Sequence, residues 1–157
     1  MNVKRLGCVA ATLGRNKERM VVLGGHDGRT VVDSVEELGV VLGSFSSLQW
    51  AHQSCCMPVG RFNSAAAVVV MEDVDDDRIY VVGGHDGKTC TDRIDIFHSP
   101  TLLPSSSSSS CDVGGSWTLA SCAMQVPRFQ CAATVWNKRI YMIGGCTTTT
   151  TGGGTTT

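Results

Sequence analysis

Short apolar runs alternate along the chain with clusters of Gly, Asp and Ser, and the runs return in a fixed order. Three times an Arg opens a run of small and apolar residues: Arg5-Leu6-Gly7-Cys8-Val9-Ala10-Ala11, Arg61-Phe62-Asn63-Ser64-Ala65-Ala66-Ala67 and Arg128-Phe129-Gln130-Cys131-Ala132-Ala133-Thr134. Each is followed, past a polar stretch, by an apolar run ending in two glycines. These are Met20-Val21-Val22-Leu23-Gly24-Gly25, Ile79-Tyr80-Val81-Val82-Gly83-Gly84 and Ile140-Tyr141-Met142-Ile143-Gly144-Gly145. Such runs are too short for helices, rich in β-branched residues and bounded by turn formers, so they predict strands. Runs that are apolar on both faces predict strands covered on both sides. The glycine pair allows positive φ and close backbone approach where that strand turns out.

Other features keep the same register. His26-Asp27-Gly28 and His85-Asp86-Gly87 directly follow the first two glycine pairs, and Asp33-Ser34-Val35-Glu36 and Asp92-Arg93-Ile94-Asp95 begin eight residues past them. Trp50 and Trp117 each stand eleven residues before the next repeat's Arg, with Met57-Pro58 and Met124 with Pro127 in between. Self-similarity at a long fixed spacing signals a repeat architecture.

As a set, the Gly-Gly doublet closing an apolar strand, the later Trp and the Met/Pro approach to an Arg resemble the Kelch repeat over residues 5–145. The resemblance implies an all-β fold: a Kelch-type β-propeller, incomplete, with about two and a half four-stranded blades. Blade one is expected at 5–60, blade two at 61–127 with a Ser-rich loop insertion at 99–116, the first half of blade three at 128–145, and a Thr/Gly low-complexity tail at 146–157. The glycine-bearing strand is expected near the centre of the wheel. The glycine pairs lie farther apart than the ~50 residues usual for such units, and insertions at 39–47, 72–77 and 99–116 account for the excess. Propellers close with typically about 4 to 8 blades, so further blades are expected from a longer chain or from another copy.

Composition narrows the function classes. With 42% hydrophobic residues, 17% charged residues and a net charge of −1, the chain lacks the basic excess that nucleic acid or an anionic membrane surface would call for. No stretch approaches the ~18 consecutive apolar residues of a membrane-spanning helix. Lys4-Arg5 ahead of residues 6–13 looks like a short signal peptide, but those residues align with the opening strand of a blade. The cysteines (Cys8, Cys55, Cys56, Cys90, Cys111, Cys122, Cys131 and Cys146) form no CxxC pair. They are read as reduced thiols of a cytoplasmic protein rather than a disulfide framework or a zinc site. No metal or other cofactor is expected.

Several residues tempt a chemical reading. His26-Asp27 and His85-Asp86 have the look of acid–base or ligand pairs, yet their repetition points first to a turn element, and Cys146 takes the place of a third His. The acidic turn at 72–77 is read as a hairpin tip rather than a calcium site, since it lacks the ligand spacing of an EF-hand. The glycines of each pair (Gly24, Gly25, Gly83, Gly84, Gly144 and Gly145), together with Trp50, Trp117, Arg61 and Arg128, are assigned to structure. The arginines are expected to make buried hydrogen bonds between blades. Tyr80 and Tyr141 occupy matching packing positions.

The resemblance also implies where binding occurs. In Kelch adaptors the residue after the Gly pair lines one face of the disc, as does the residue two past the repeat-opening Arg. Here these are His26, His85 and Cys146, and Gly7, Asn63 and Gln130, with Arg29 and Lys88 adding positive charge nearby. The implied function is protein–protein interaction, with peptide segments among the partners, as part of a ubiquitin-ligase adaptor or a cytoskeletal binder rather than an enzyme. Two alternatives stay open: a piece of a Kelch-scaffold enzyme such as a copper oxidase, and a truncated product with no function of its own.

Overall fold

The apolar runs fold as the strands their pattern predicts. A computed structural model describes residues 1–14, 19–41, 47–70, 77–99 and 115–147. The strands are β1 (Val9–Leu13), β2 (Arg19–Leu23), β3 (Val35–Val41), β4 (Ser47–His52), β5 (Ala65–Val69), β6 (Arg78–Val82), β7 (Ile94–His98), β8 (Ser116–Leu119), β9 (Phe129–Trp136) and β10 (Arg139–Cys146), with no helix among the described residues. They pair antiparallel in chain order, as two four-stranded sheets β1-β2-β3-β4 and β5-β6-β7-β8 and a two-stranded sheet β9-β10. This is an incomplete β-propeller of two blades and the inner half of a third. The hairpin between β9 and β10 turns through Asn137 and Lys138, both at positive φ, as a two-residue turn requires.

The first strand of each sheet is innermost, because β5 packs against β1 on one side and β9 on the other. The glycine-bearing strands β2, β6 and β10 lie one place further out, not at the centre as expected. The inner strands are rich in alanine, which lets neighbouring sheets approach closely where the ring is narrowest. Between the first two sheets the core comprises Val9, Ala11, Leu13, Val21, Leu23 and Val35 against Ile79, Val81 and Phe97, with Met57 from the connecting segment. Full burial of a Val, Leu or Ile side chain contributes about 1.5–3 kcal/mol. Trp117 stacks obliquely on Phe97, ring centroids 5.2 Å apart, and packs against this core. Trp50 is half-buried on β4.

Adjacent sheets are joined by a repeated backbone seam. The Asn63 N–H donates to the Gly7 carbonyl and the Gln130 N–H to the Asn63 carbonyl, each at 2.7 Å. The Gly25 N–H donates to the Arg61 carbonyl at 2.9 Å and the Gly84 N–H to the Arg128 carbonyl at 2.8 Å. Gly7, Asn63 and Gln130 all adopt positive φ, at 61°, 52° and 55°, and Asn63 turns its N–H to one neighbouring sheet and its carbonyl to the other. A β-carbon on Gly24 would collide with the Arg61 carbonyl, and one on Gly83 with the Arg128 carbonyl. The glycine pair is thus the surface on which the next sheet rests.

The repeat arginines act differently from expectation. Arg5 donates through Nη1 to the Gly24 carbonyl at 2.9 Å and the Ser34 carbonyl at 2.8 Å, with the Glu36 carboxylate 3.8 Å from Nη2. Arg61 donates to the Gly83 and Arg93 carbonyls at 3.3 and 3.4 Å and pairs with Asp95, both side chains being fully buried. Each side chain therefore ties the entry of its own sheet to that sheet's third strand. It is the Arg backbone that reaches the preceding sheet, through the carbonyls of Arg61 and Arg128 and, at 3.3 Å to the Thr91 carbonyl, the Arg128 N–H. Burial and the nearby Arg93 guanidinium push the Arg61 pKa down to about 10, so it stays charged at neutral pH.

Of the acidic turn at 72–77, only Asp77 is among the described residues. Its carboxylate accepts the Gly14 N–H of the preceding sheet at 2.6 Å. The Ser-rich insertion from residue 100 to 114, most of the insertion at 39–47 and the tail from 148 onward lie outside the described residues.

The two glycines at matching positions separate strain from seam packing. Gly83 and Gly144 share positive φ, +63° and +72°, but nothing lies within 4 Å of a β-carbon on Gly144. Gly144→Ala should cost only the left-handed backbone penalty of about 1–2 kcal/mol. Gly83→Ala should cost about 1–3 kcal/mol more, from overpacking the seam. Urea unfolding of both variants checks this, and equal losses would count against the seam.

Candidate functional site

Beyond each glycine pair the chain forms the same small element. His26 bridges Leu6 on one side and Val31 on the other, and His85 bridges Phe62 and Cys90. One carboxylate oxygen of Asp27 accepts the N–H groups of Arg29 and Thr30, both at 2.7 Å. Asp86 does the same for Lys88 and Thr89, again at 2.7 Å. These are Asx turns, in which a short acidic side chain stands in for a backbone carbonyl. The Gly28 N–H donates to Nδ1 of His26 and the Gly87 N–H to Nδ1 of His85, each at 3.0 Å. With Nδ1 accepting, the neutral ring carries its proton on Nε2. The His-Asp pairs are therefore turn elements in which each partner faces backbone amides.

The same hydrogen bonds set the electrostatics. Backbone donation from Thr30 and then Arg29 holds the Asp27 carboxyl below its ordinary value, and Thr89 and Lys88 do so for Asp86. Both carboxylates are folded onto their own turns, while Arg29 and Lys88 are exposed.

The seam brings these turns into one row. His26 meets Phe62 edge-on at 5.6 Å between ring centroids, Phe62 meets His85 at 5.4 Å, and His85 meets Phe129 edge-on at 5.6 Å. All four rings are half-buried, and the row crosses all three sheets. Leu6, paired with His26, and Cys146, paired with Phe129, stand at its two ends. Sequence reasoning missed Phe62 and Phe129. The signal was present, since each directly follows a repeat-opening Arg and so lies opposite the residue after the glycine pair.

The remaining site residues fall into two groups. Asn63 and Gln130 sit on the seam with their backbone groups engaged; the Asn63 side chain is half-buried and Gln130 is exposed. Lys88 and Asp86 line an open cleft of about 380 Å³ between the first two sheets, completed by Val31, Asp33, Val59 and Gly60. The structure thus joins His26 and His85 in one row and sets Lys88 at the neighbouring cleft.

The described cysteines are free thiols, and burial pushes the thiols of Cys55 and Cys131 up from the usual range. Among the described residues no three His, Cys, Asp or Glu side chains are grouped to share a metal ion, and no helix is long and apolar enough to cross a membrane.

Residues 73–101 match the Kelch motif. The matched window runs through β6, the Gly83-Gly84 pair, the His85 turn and β7. No curated protein matches the chain.

The Asx turns carry a pH signature. A carboxyl whose folded pKa is depressed stabilises its turn fully above the unfolded value, and that contribution fades as pH falls through the folded one. The Arg29, Thr30, Lys88 and Thr89 amide resonances should therefore shift together in an NMR titration, with midpoints below the ordinary aspartate value of about 3.9. Midpoints at or above that value would show that the carboxylates do not hold the turns.

Proposed function

We propose that this Kelch-repeat chain is a protein-interaction module whose recognition surface carries His26, Arg29, Asn63, His85, Lys88 and Gln130 and takes an acidic or hydroxyl-rich peptide segment. The observation that carries this reading is the row His26–Phe62–His85–Phe129, unbroken over three sheets. Aromatic and imidazole rings supply large contact area at a low cost in side-chain entropy. Each His uses Nδ1 within its own turn, which leaves an Nε2–H to donate to a hydroxyl or carboxylate oxygen.

Charge supports the same choice of ligand. Asp27 and Asp86 direct their carboxylates at their own turn amides, while the exposed side chains of Arg29 and Lys88 supply the cations near the row. Loops on a rigid scaffold are where recognition residues gather, and here the scaffold fixes the spacing between turns. Recruiting a substrate to a ubiquitin ligase, or contacting a cytoskeletal filament, are the adaptor roles such a surface would serve. Either would place the protein in the cytoplasm, where free thiols persist.

Fluorescence anisotropy against labelled acidic, hydroxyl-rich, neutral and basic peptides tests the reading. Acidic peptides should bind best, more weakly as salt rises, and the double variant Arg29→Glu/Lys88→Glu should lose about tenfold or more in affinity. Equal binding of basic peptides, or affinity untouched by the double charge reversal, would overturn it.

A further inference from the structure

The segment that carries the chain from β4 to β5 has a counterpart between β8 and β9, and the two differ at one cysteine. Counted back from Arg61 and Arg128, Cys55 matches Cys122 and Met57 matches Met124, while Cys56 stands where the second unit has Ala123. The methionines are held alike: the Met57 N–H donates to the Asp33 carbonyl at 2.8 Å and the Met124 N–H to the Asp92 carbonyl at 2.9 Å. The repeat therefore accounts for the thiol of Cys55 and asks for none at Cys56.

Along this segment the side chains alternate. Gln53 and Cys55 are half-buried and Met57 is buried, while Ser54 and Cys56 are exposed. Alternation of this kind turns neighbouring side chains to opposite sides, so Cys55 faces the junction between the first two sheets and Cys56 faces solvent. Cys55 packs against the core of that junction, as does Trp117 of the second sheet. The Trp117 indole N–H is buried with no hydrogen-bond partner, and the Cys55 sulfur, a weak acceptor, lies beside it. Burial holds Cys55 as a thiol, whereas exposure makes Cys56 the first of the pair to meet an oxidant.

We propose that Cys55 and Cys56 form a site of reversible oxidation by a hydroperoxide, closing a disulfide that draws Cys55 out of the junction. The Cys56 thiolate attacks one oxygen of hydrogen peroxide; the O–O bond breaks, the departing hydroxide takes up the thiol's proton as water, and Cys56 becomes a sulfenic acid. Cys55 then gives up its proton and its sulfur attacks that of Cys56; the S–O bond breaks and hydroxide leaves with that proton as a second water. Two thiols and one peroxide thus yield one disulfide and two waters. Because the side chains start on opposite sides, the bond forms only after Cys55 turns outward, which takes the sulfur away from the Trp117 N–H. The Gln53 N–H bond to the Val35 carbonyl, at 2.9 Å, and the Met57 bond to Asp33 confine that turn to residues 54–56. Adjacent α-carbons stand about 3.8 Å apart, short of the usual disulfide span of about 4.4–6.8 Å, so a dithiol reductant readily reopens the bond.

The test treats the intact chain with equimolar hydrogen peroxide, then alkylates it after unfolding and weighs the tryptic peptide of residues 30–61. That peptide should lose both alkylations and two hydrogens, and dithiothreitol should restore both thiols. In ¹⁵N NMR the Trp117 indole N–H resonance should move on oxidation and exchange about tenfold faster or more. Cys56→Ala, which copies the second unit, should keep the fold and abolish both responses. A sulfinic acid on Cys56 with Cys55 still free, or a bond from either thiol to another cysteine or to a second chain, would overturn the proposal. So would two thiols that stay free under excess peroxide, or a Trp117 response that persists in the Cys56→Ala chain. A Cys55–Cys56 bond that leaves the Trp117 resonance in place would overturn it as well, since Cys55 would not have left the junction.

Discussion

Two backbone hydrogen bonds carry each sheet onto the next, one from the left-handed residue at the mouth of the inner strand and one from the second glycine of the pair. Both need backbones that approach with no β-carbon between them, and both need residues at positive φ. Glycine and asparagine tolerate that conformation better than most residues; Gln130 adopts it with less intrinsic ease. The rest of the arrangement follows. The alanine-rich inner strands pack closely, the apolar second strands are covered on both faces, and the arginine is held so that its carbonyl points to the preceding sheet.

The seam also sets the spacing of the candidate surface. Because the same bonds recur at each junction, His26, Phe62, His85 and Phe129 fall at nearly equal intervals of 5.4 to 5.6 Å. No one sheet could build this row: the first contributes His26, the second Phe62 and His85 and the third Phe129, and stacking interleaves them. A surface assembled in this way is as rigid as the stack beneath it. The arginines contribute by locking the first strand of a sheet to its third. In the first two sheets a buried carboxylate, Glu36 or Asp95, compensates the guanidinium.

Much of this was legible in the sequence. The register of Arg, glycine pair, acidic residue and Trp located the strands and the sheets, and the repetition of His-Asp-Gly pointed to turns rather than chemistry. The partner of the repeat arginine was not legible, because periodicity says that a residue recurs but not which neighbour it faces. The order of strands from the centre was misjudged for a related reason. Apolar residues on both faces mark a covered strand wherever it lies, whereas small side chains such as Ala65, Ala66 and Ala67 mark the narrowest part of the stack. Phe62 and Phe129 escaped notice because they read as the openings of strands, and their role emerges only when sheets distant in sequence are set side by side.

The stacking seam is the claim on which the fold and the site both rest, and native-state amide hydrogen exchange tests it most directly. The N–H groups of Gly25, Asn63, Gly84 and Gln130 donate to carbonyls of a neighbouring sheet rather than of their own, so their protection reports the junctions between sheets. The account predicts that they exchange at least about a hundredfold more slowly than free amides, on a par with β2 and β6. Free exchange at these four positions, with the strand amides still protected, would mean that the sheets form without stacking and would contradict it.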